Sequence, residues 1–157
     1  MTALRRGIRI GVDVGRARVG VARSDPDALL AVPVETVPRT DAAVARIRDI
    51  AAEYEALEIL VGLPTSLSGA DTPSTTDARA FAAELATAVA VPVRLVDERL
   101  STVTAHDALR ASGRSQRRSR SIVDQVAAVV LLQQALDVER RSGTPAGVAV
   151  PPGQEPA

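Results

Sequence analysis

Three short apolar runs, joined by links of only a few residues, fill the N-terminal part of this chain and constrain its fold more than any other feature. The first, IRIGVDV within Gly7 to Gly15, ends at Asp13-Val14-Gly15. A Gly-Arg-Ala turn leads to the second, Arg18 to Arg23, and Asp25-Pro26-Asp27 leads to the third, Leu30 to Val37. Links this short reverse a strand but cannot cross over a sheet, so the runs predict an antiparallel meander. The pattern then changes to helical spacing from Asp41 to Tyr54, through Val44, Ile47, Ile50 and Ala51. Leu57 to Val61 reads as a fourth strand closed by Gly62-Leu63-Pro64, and a polar loop and a helix from Ser74 to Val89 lead to a fifth, Val93 to Val96. Beyond it the sequence predicts a short helix from Ser101 to Ala111, a loop from Ser112 to Ser121, and an apolar helix from Ile122 to Arg140.

Right-handed crossovers put the fourth and fifth strands parallel to the first. The expected architecture is α/β, a five-stranded mixed sheet of order 3-2-1-4-5 with helices on both faces. One domain is expected over residues 1–141, and the Gly, Pro and Ala of residues 142–157 read as a disordered tail. Hydrophobic residues make up 46% of the chain and aromatic ones only 1%, so the core is built of Ala, Val, Leu and Ile. That mixture suits buried parallel strands under Ala-rich helices.

The C-terminal ends of the first, fourth and fifth strands share one edge, where α/β sheets hold their sites. Asp13, Gly62 and Asp97-Glu98 stand there. Asp13 reads either as a turn aspartate holding nearby amides or as a site carboxylate. Glu98 reads either as a surface partner of Arg99 or as a ligand. Asp124 reads either as part of a capping box begun by Ser121 or as an acid facing a cleft from an otherwise apolar helix. In the expected strand order, Asp13 and Glu98 start roughly 10 Å apart across a strand that ends in glycine. Three carboxylates gathered there repel one another and lose solvation, which a bound cation would offset. With no cysteine and one histidine, zinc–thiolate and multi-histidine sites within one chain are excluded, so a metal would take oxygen ligands, as Mg²⁺ or Mn²⁺ does, in one or two ions.

In this order the motifs resemble those of the YqgF/RuvX family of RNase H-like nucleases. Asp13 to Gly20 fits DxGxxRxG, Val61 to Pro64 fits VGLP, Asp97 to Thr102 fits DERLST in full, and Asp124 to Ala128 fits DxxAA. The resemblance implies an RNase H-like sheet, a metal site of Asp13, Glu98 and Asp124, and endonucleolytic maturation of the 5′ end of pre-16S rRNA. Holliday junction resolution on branched DNA is the alternative activity it implies. A non-catalytic RNA-binding ribosome-assembly factor is a further alternative.

Formal net charge is zero, so nucleic-acid binding requires a local basic patch. Every basic residue is arginine, and Arg110, Arg114, Arg117, Arg118 and Arg120 cluster without an acid ahead of Asp124. This stretch reads as a clamp on backbone phosphates or as a solvated linker. Arg18 and Arg99 read as phosphate contacts or as side chains that orient the carboxylates. Tyr54 and Phe81 both fall on predicted helices, which leaves no platform for base stacking and favours structured RNA over single strands. No apolar stretch approaches the length of a membrane span and no secretory leader opens the chain, so a soluble cytoplasmic protein is expected, as a monomer or weak homodimer.

Overall fold

The structure, a computed structural model, describes residues 5–66, 68–97 and 116–151, and for residues 116–124 the backbone alone. Three strands, β1 (Arg9–Val14), β2 (Arg18–Ser24) and β3 (Ala31–Pro38), form the meander. Helix α1 (Ala43–Glu53), β4 (Glu58–Leu63), α2 (Pro73–Ala88) and β5 (Val93–Asp97) follow, then the long helix α3 (Gln116–Ser142) and a short strand β6 (Val148–Ala149). The sheet order is β3-β2-β1-β4-β5-β6. β1, β4 and β5 are parallel, and the meander pairs antiparallel.

Alternation along the strands sends side chains to two cores. Ile10, Val12, Val19, Val21, Ile59 and Val61 pack with Ile47 and Ile50 of α1 and Phe81 and Leu85 of α2. On the other face Ala22 and Leu60 pack with Ala128, Leu132 and Leu136 of α3. A Cβ on Gly11 would stand 2.9 Å from Leu132 Cβ and 3.1 Å from the Ala128 carbonyl oxygen, so α3 lies directly on β1. Two prolines, Pro33 and Pro38, lie in β3 at the edge of the sheet, where a missing ladder donor costs least. Thr72 and Thr75 cap α2 reciprocally, with Pro73 in its first turn.

Two expectations are corrected. The sheet has six strands, because part of the supposed tail returns to pair with β5. Gly143 and Gly147 take positive φ (+79° and +77°), and a Cβ at Gly147 would come within 2.0 Å of the Leu95 carbonyl oxygen. Glycine here is therefore a requirement of close approach, not a sign of disorder. Arg94 holds the return by donating to the Ala146 and Gly147 carbonyls, both at 2.8 Å. Second, Gln116 to Ser121, expected in a loop, begin α3. Gln and Arg are good helix formers, and neither Gly nor Pro interrupts residues 114–142. The expected helix from Ser101 to Ala111, residues 112–115 and residues 152–157 lie outside the described residues. Among the described residues no helix is long and apolar enough to cross a membrane.

Candidate active site

Asp13 is the penultimate residue of β1 and pairs with Gly20 of β2. The β1–β4 ladder stops one residue earlier, at Val12 and Val61, while β4 continues beside β5 through Gly62–Val96 and Leu63–Asp97. Strands β1 and β4 thus part company at Asp13, at the edge where the three parallel strands end.

Asp13 shares the face of Gly11, beneath α3. At its level this face carries Thr36 of β3, Gly20 of β2, Asp13 itself, and then Gly62 and Val96. Its neighbours in that row are both glycine, so at its own level neither adjoining strand carries a side chain. Arg18 stands two residues before Gly20 on the same face, the diagonal neighbour of Asp13 and within reach of a long side chain at about 7–8 Å. Both residues are half-buried.

Helix α3 runs antiparallel to β1. Glu139 pairs with Arg9, Leu132 and Ala128 lie over Gly11, and Gln125 donates to Thr36 Oγ1 at 2.7 Å. The last contact puts residue 125 over the row that holds Asp13. Asp124 is one turn before Ala128, in the i, i+4 row that continues to Leu132 and Leu136. It lies eight residues beyond Gln116, more than two turns into α3, so the capping-box reading of Asp124 is overturned.

Glu98, Arg99 and Arg114 lie outside the described residues. Asp97, which precedes Glu98, is exposed at the end of β5. Arg117, Arg118 and Arg120 are in the first turns of α3 instead of a loop. Among the described residues no group of three or more His, Asp or Glu side chains could hold a metal. Just past β4, Thr65 Oγ1 is buried without a hydrogen-bond partner among the described residues.

A neighbouring cluster was not singled out by the sequence. Arg39, after β3, makes a two-pronged contact with Asp77 of α2 at 2.9 and 2.8 Å and donates to the Gly15 carbonyl at 2.9 Å. Its guanidinium also lies over the Phe81 ring, 4.9 Å from the centroid. The hydrogen bond from Arg39 holds the Asp77 carboxyl below its usual range, and the charges of Arg39 and Arg16 add to the effect. Arg16, Arg39, Pro73, Ser74 and Asp77 line an open cavity of about 410 Å³. Arg16 falls at an unspecified position of the Asp13–Gly20 motif and no motif marks the others; the three segments meet through the fold.

A sheet of this order, with a carboxylate ending its central strand under a long helix, defines an α/β protein of RNase H-like fold. The chain belongs to the RuvX family of Holliday junction resolvases, whose sequence profile matches residues 7–138. It is 57% identical over 151 residues to a Clavibacter michiganensis protein named "Putative pre-16S rRNA nuclease", covering 94% of each chain. Proteins of the same name from Streptomyces coelicolor (57% over 150 residues, 94% of this chain and 90% of that one) and Thermobifida fusca (54% over 155 residues, 94% and 98%) are also similar. The Thermus thermophilus RuvC structure shares the fold at a TM-score of 0.54 with 16% identity, over 90% of this chain and 99% of that one. RuvC from that organism in complex with a Holliday junction gives 0.55, with 18% identity and the same coverage. The expected family and RNase H-like fold are thus the observed ones, and the family description and the relatives' names both denote nucleases.

Proposed function

We infer that this chain is a divalent-metal-dependent endonuclease that matures the 5′ end of pre-16S rRNA, with Asp13, Glu98 and Asp124 as its catalytic and metal-holding residues. The observation that carries this reading is the position of Asp13, at the point where β1 and β4 separate, between two glycines and under the turn of α3 that precedes Ala128. Glu98 follows in sequence Asp97, which ends β5 at the same sheet edge, and Asp124 lies on α3, the helix over that face. The donor set is all oxygen, which suits Mg²⁺ or Mn²⁺. When bound, such an ion activates water and stabilises the leaving oxygen of a phosphodiester.

The protein's own contribution is placement. The ladder with β2 fixes the Asp13 backbone, and the glycines on either side carry no side chain at its level. Arg18, on the same face, offsets phosphate charge beside the carboxylate. Arg117, Arg118 and Arg120 at the start of α3, with Arg99 and Arg114, hold backbone phosphates and set the path of the nucleic acid. The rRNA substrate comes from the full-length relatives, and a cytoplasmic enzyme on structured RNA follows from it. Branched DNA is the second reading, favoured by the family's description as a Holliday junction resolvase.

Single-turnover cleavage of a precursor RNA spanning the 5′ end and of a four-way DNA junction, at matched concentration with Mg²⁺, tests the choice. The RNA is expected to be cut at a defined site and the junction much more slowly. Preferential, symmetric cutting of the junction would establish the resolvase reading in its place.

A further inference from the structure

After Val12 the β1–β4 ladder ends, while Asp13 and Val14 stay paired with Gly20 and Val19 of β2 as the chain enters the turn to Arg18. The turn is tight. Gly15 N–H donates to the Arg18 carbonyl at 2.9 Å, and a Cβ on Gly15 would stand 2.6 Å from that oxygen. The Gly15 carbonyl is bound by Arg39, whose guanidinium is itself fixed by the two-pronged contact with Asp77 and by the Phe81 ring beneath it. The backbone N–H of Arg39 also donates to the Ala17 carbonyl at 2.9 Å. Phe81 is buried in the core shared with α1 and α2, so the tie reaches from the turn to a rigid helix. A planar guanidinium can hold a carboxylate with two nitrogens and still donate to a carbonyl, which an ammonium cannot do with the same geometry.

We propose that Arg39, locked by Asp77, is a positioning residue for the nuclease site: it ties the turn that follows β1 to α2 and so helps fix where the Asp13 carboxylate stands. The proposal rests on the reading of Asp13 as a metal ligand. Arg39 touches neither metal nor substrate and acts through the Gly15 carbonyl. Its charge is neutralised by Asp77, so it is not a spare phosphate anchor.

The sign of its effect on metal binding separates positioning from simple electrostatics. Loss of a nearby positive charge, taken alone, favours cation binding. Loss of a positioning tie weakens it, as removal of outer partners of metal ligands commonly does, by about tenfold. The test is a set of thermal melts of the full chain in EDTA and across a Mn²⁺ titration, for wild type, Arg39→Ala, Arg39→Lys and Asp13→Asn. Both Arg39 variants are expected to bind Mn²⁺ about tenfold more weakly, the Lys variant despite its retained charge. In cleavage of the precursor RNA they should lose kcat with KM nearly unchanged. If both bind Mn²⁺ as tightly as wild type or more tightly, whatever their melting points in EDTA, the positioning role is wrong. If Arg39→Ala does not fold, Arg39→Lys decides alone. Asp13→Asn should lose the Mn²⁺ response, and its retention would instead overturn the metal-ligand reading on which the proposal stands.

Discussion

At the scale of single residues, glycine shapes the row around the candidate site. Gly20 and Gly62 flank Asp13 in the row beneath α3, and Gly11, one step back on the same face, sets how closely the helix approaches. A Cβ on Gly11 would meet Leu132 Cβ and the Ala128 carbonyl, neither of them the end of a flexible side chain. Gly11→Ala should therefore lift α3 from β1 and cost about 1–3 kcal/mol, as overpacking in a filled core does. Urea denaturation measures it. A variant as stable as wild type would mean that the helix adjusts without strain. These glycines were visible in the sequence as strand residues and as motif positions. Their shared face became visible only with the register, because a slip of one residue would turn them all away from the helix.

At the scale of elements, α3 decides how the basic residues act. Its helical backbone from Gln116 onward carries Arg117, Arg118 and Arg120 at the end that leads to Asp124. Replacing Arg117 and Arg118 together by Ala should weaken precursor-RNA binding whatever the sequence. The slope of log K against log salt should shrink by roughly 1.4 to 1.8, about 0.7 to 0.9 for each lost phosphate contact. An unchanged slope, measured by filter binding across a salt series, would make this turn a solvated helix end. The meander, both crossovers and the apolar part of α3 were legible because each has its own apolar period and a clear turn or breaker. The start of α3 was not, since Arg- and Ser-rich sequence reads equally as a polar helix or a loop. Strand β6 was hidden for another reason: the glycines and prolines around it suggest disorder, and only the edge of β5 gives Val148 and Ala149 a partner.

At the scale of the molecule, α3 is fixed to the sheet at the end remote from the candidate site. Arg9 is 1% exposed and pairs with Glu139 at 2.8 Å, while Arg5 reaches Glu139 at 2.6 Å and Glu58 at 2.9 Å. Burial alone would raise the Glu139 carboxyl, but hydrogen bonds and charge from Arg5 and the charge of Arg9 outweigh it and hold it below its usual value. Its ionised form therefore stabilises the fold fully above the unfolded value of about 4.3, and progressively less as pH falls through the lower folded value. Glu139→Gln should cost about 3 kcal/mol at neutral pH by leaving buried Arg9 with the longer contact to Glu58, at 4.0 Å, in place of its close ion pair. In denaturation series across pH the gap to wild type should narrow below about pH 4. A gap constant with pH would show that the carboxylate's charge contributes nothing. Anchored there, α3 carries Asp124 towards the opposite edge of the sheet, where Asp13 is the penultimate residue of β1. The most direct test of that convergence is cleavage and binding of precursor RNA by wild type, Asp13→Asn and Asp124→Asn under identical Mg²⁺. Both variants should bind within about threefold of wild type, because affinity comes from arginine–phosphate contacts. Both should cut at least about a hundredfold more slowly, because each removes a carboxylate of the proposed metal site. Near wild-type cleavage by either variant would contradict the account.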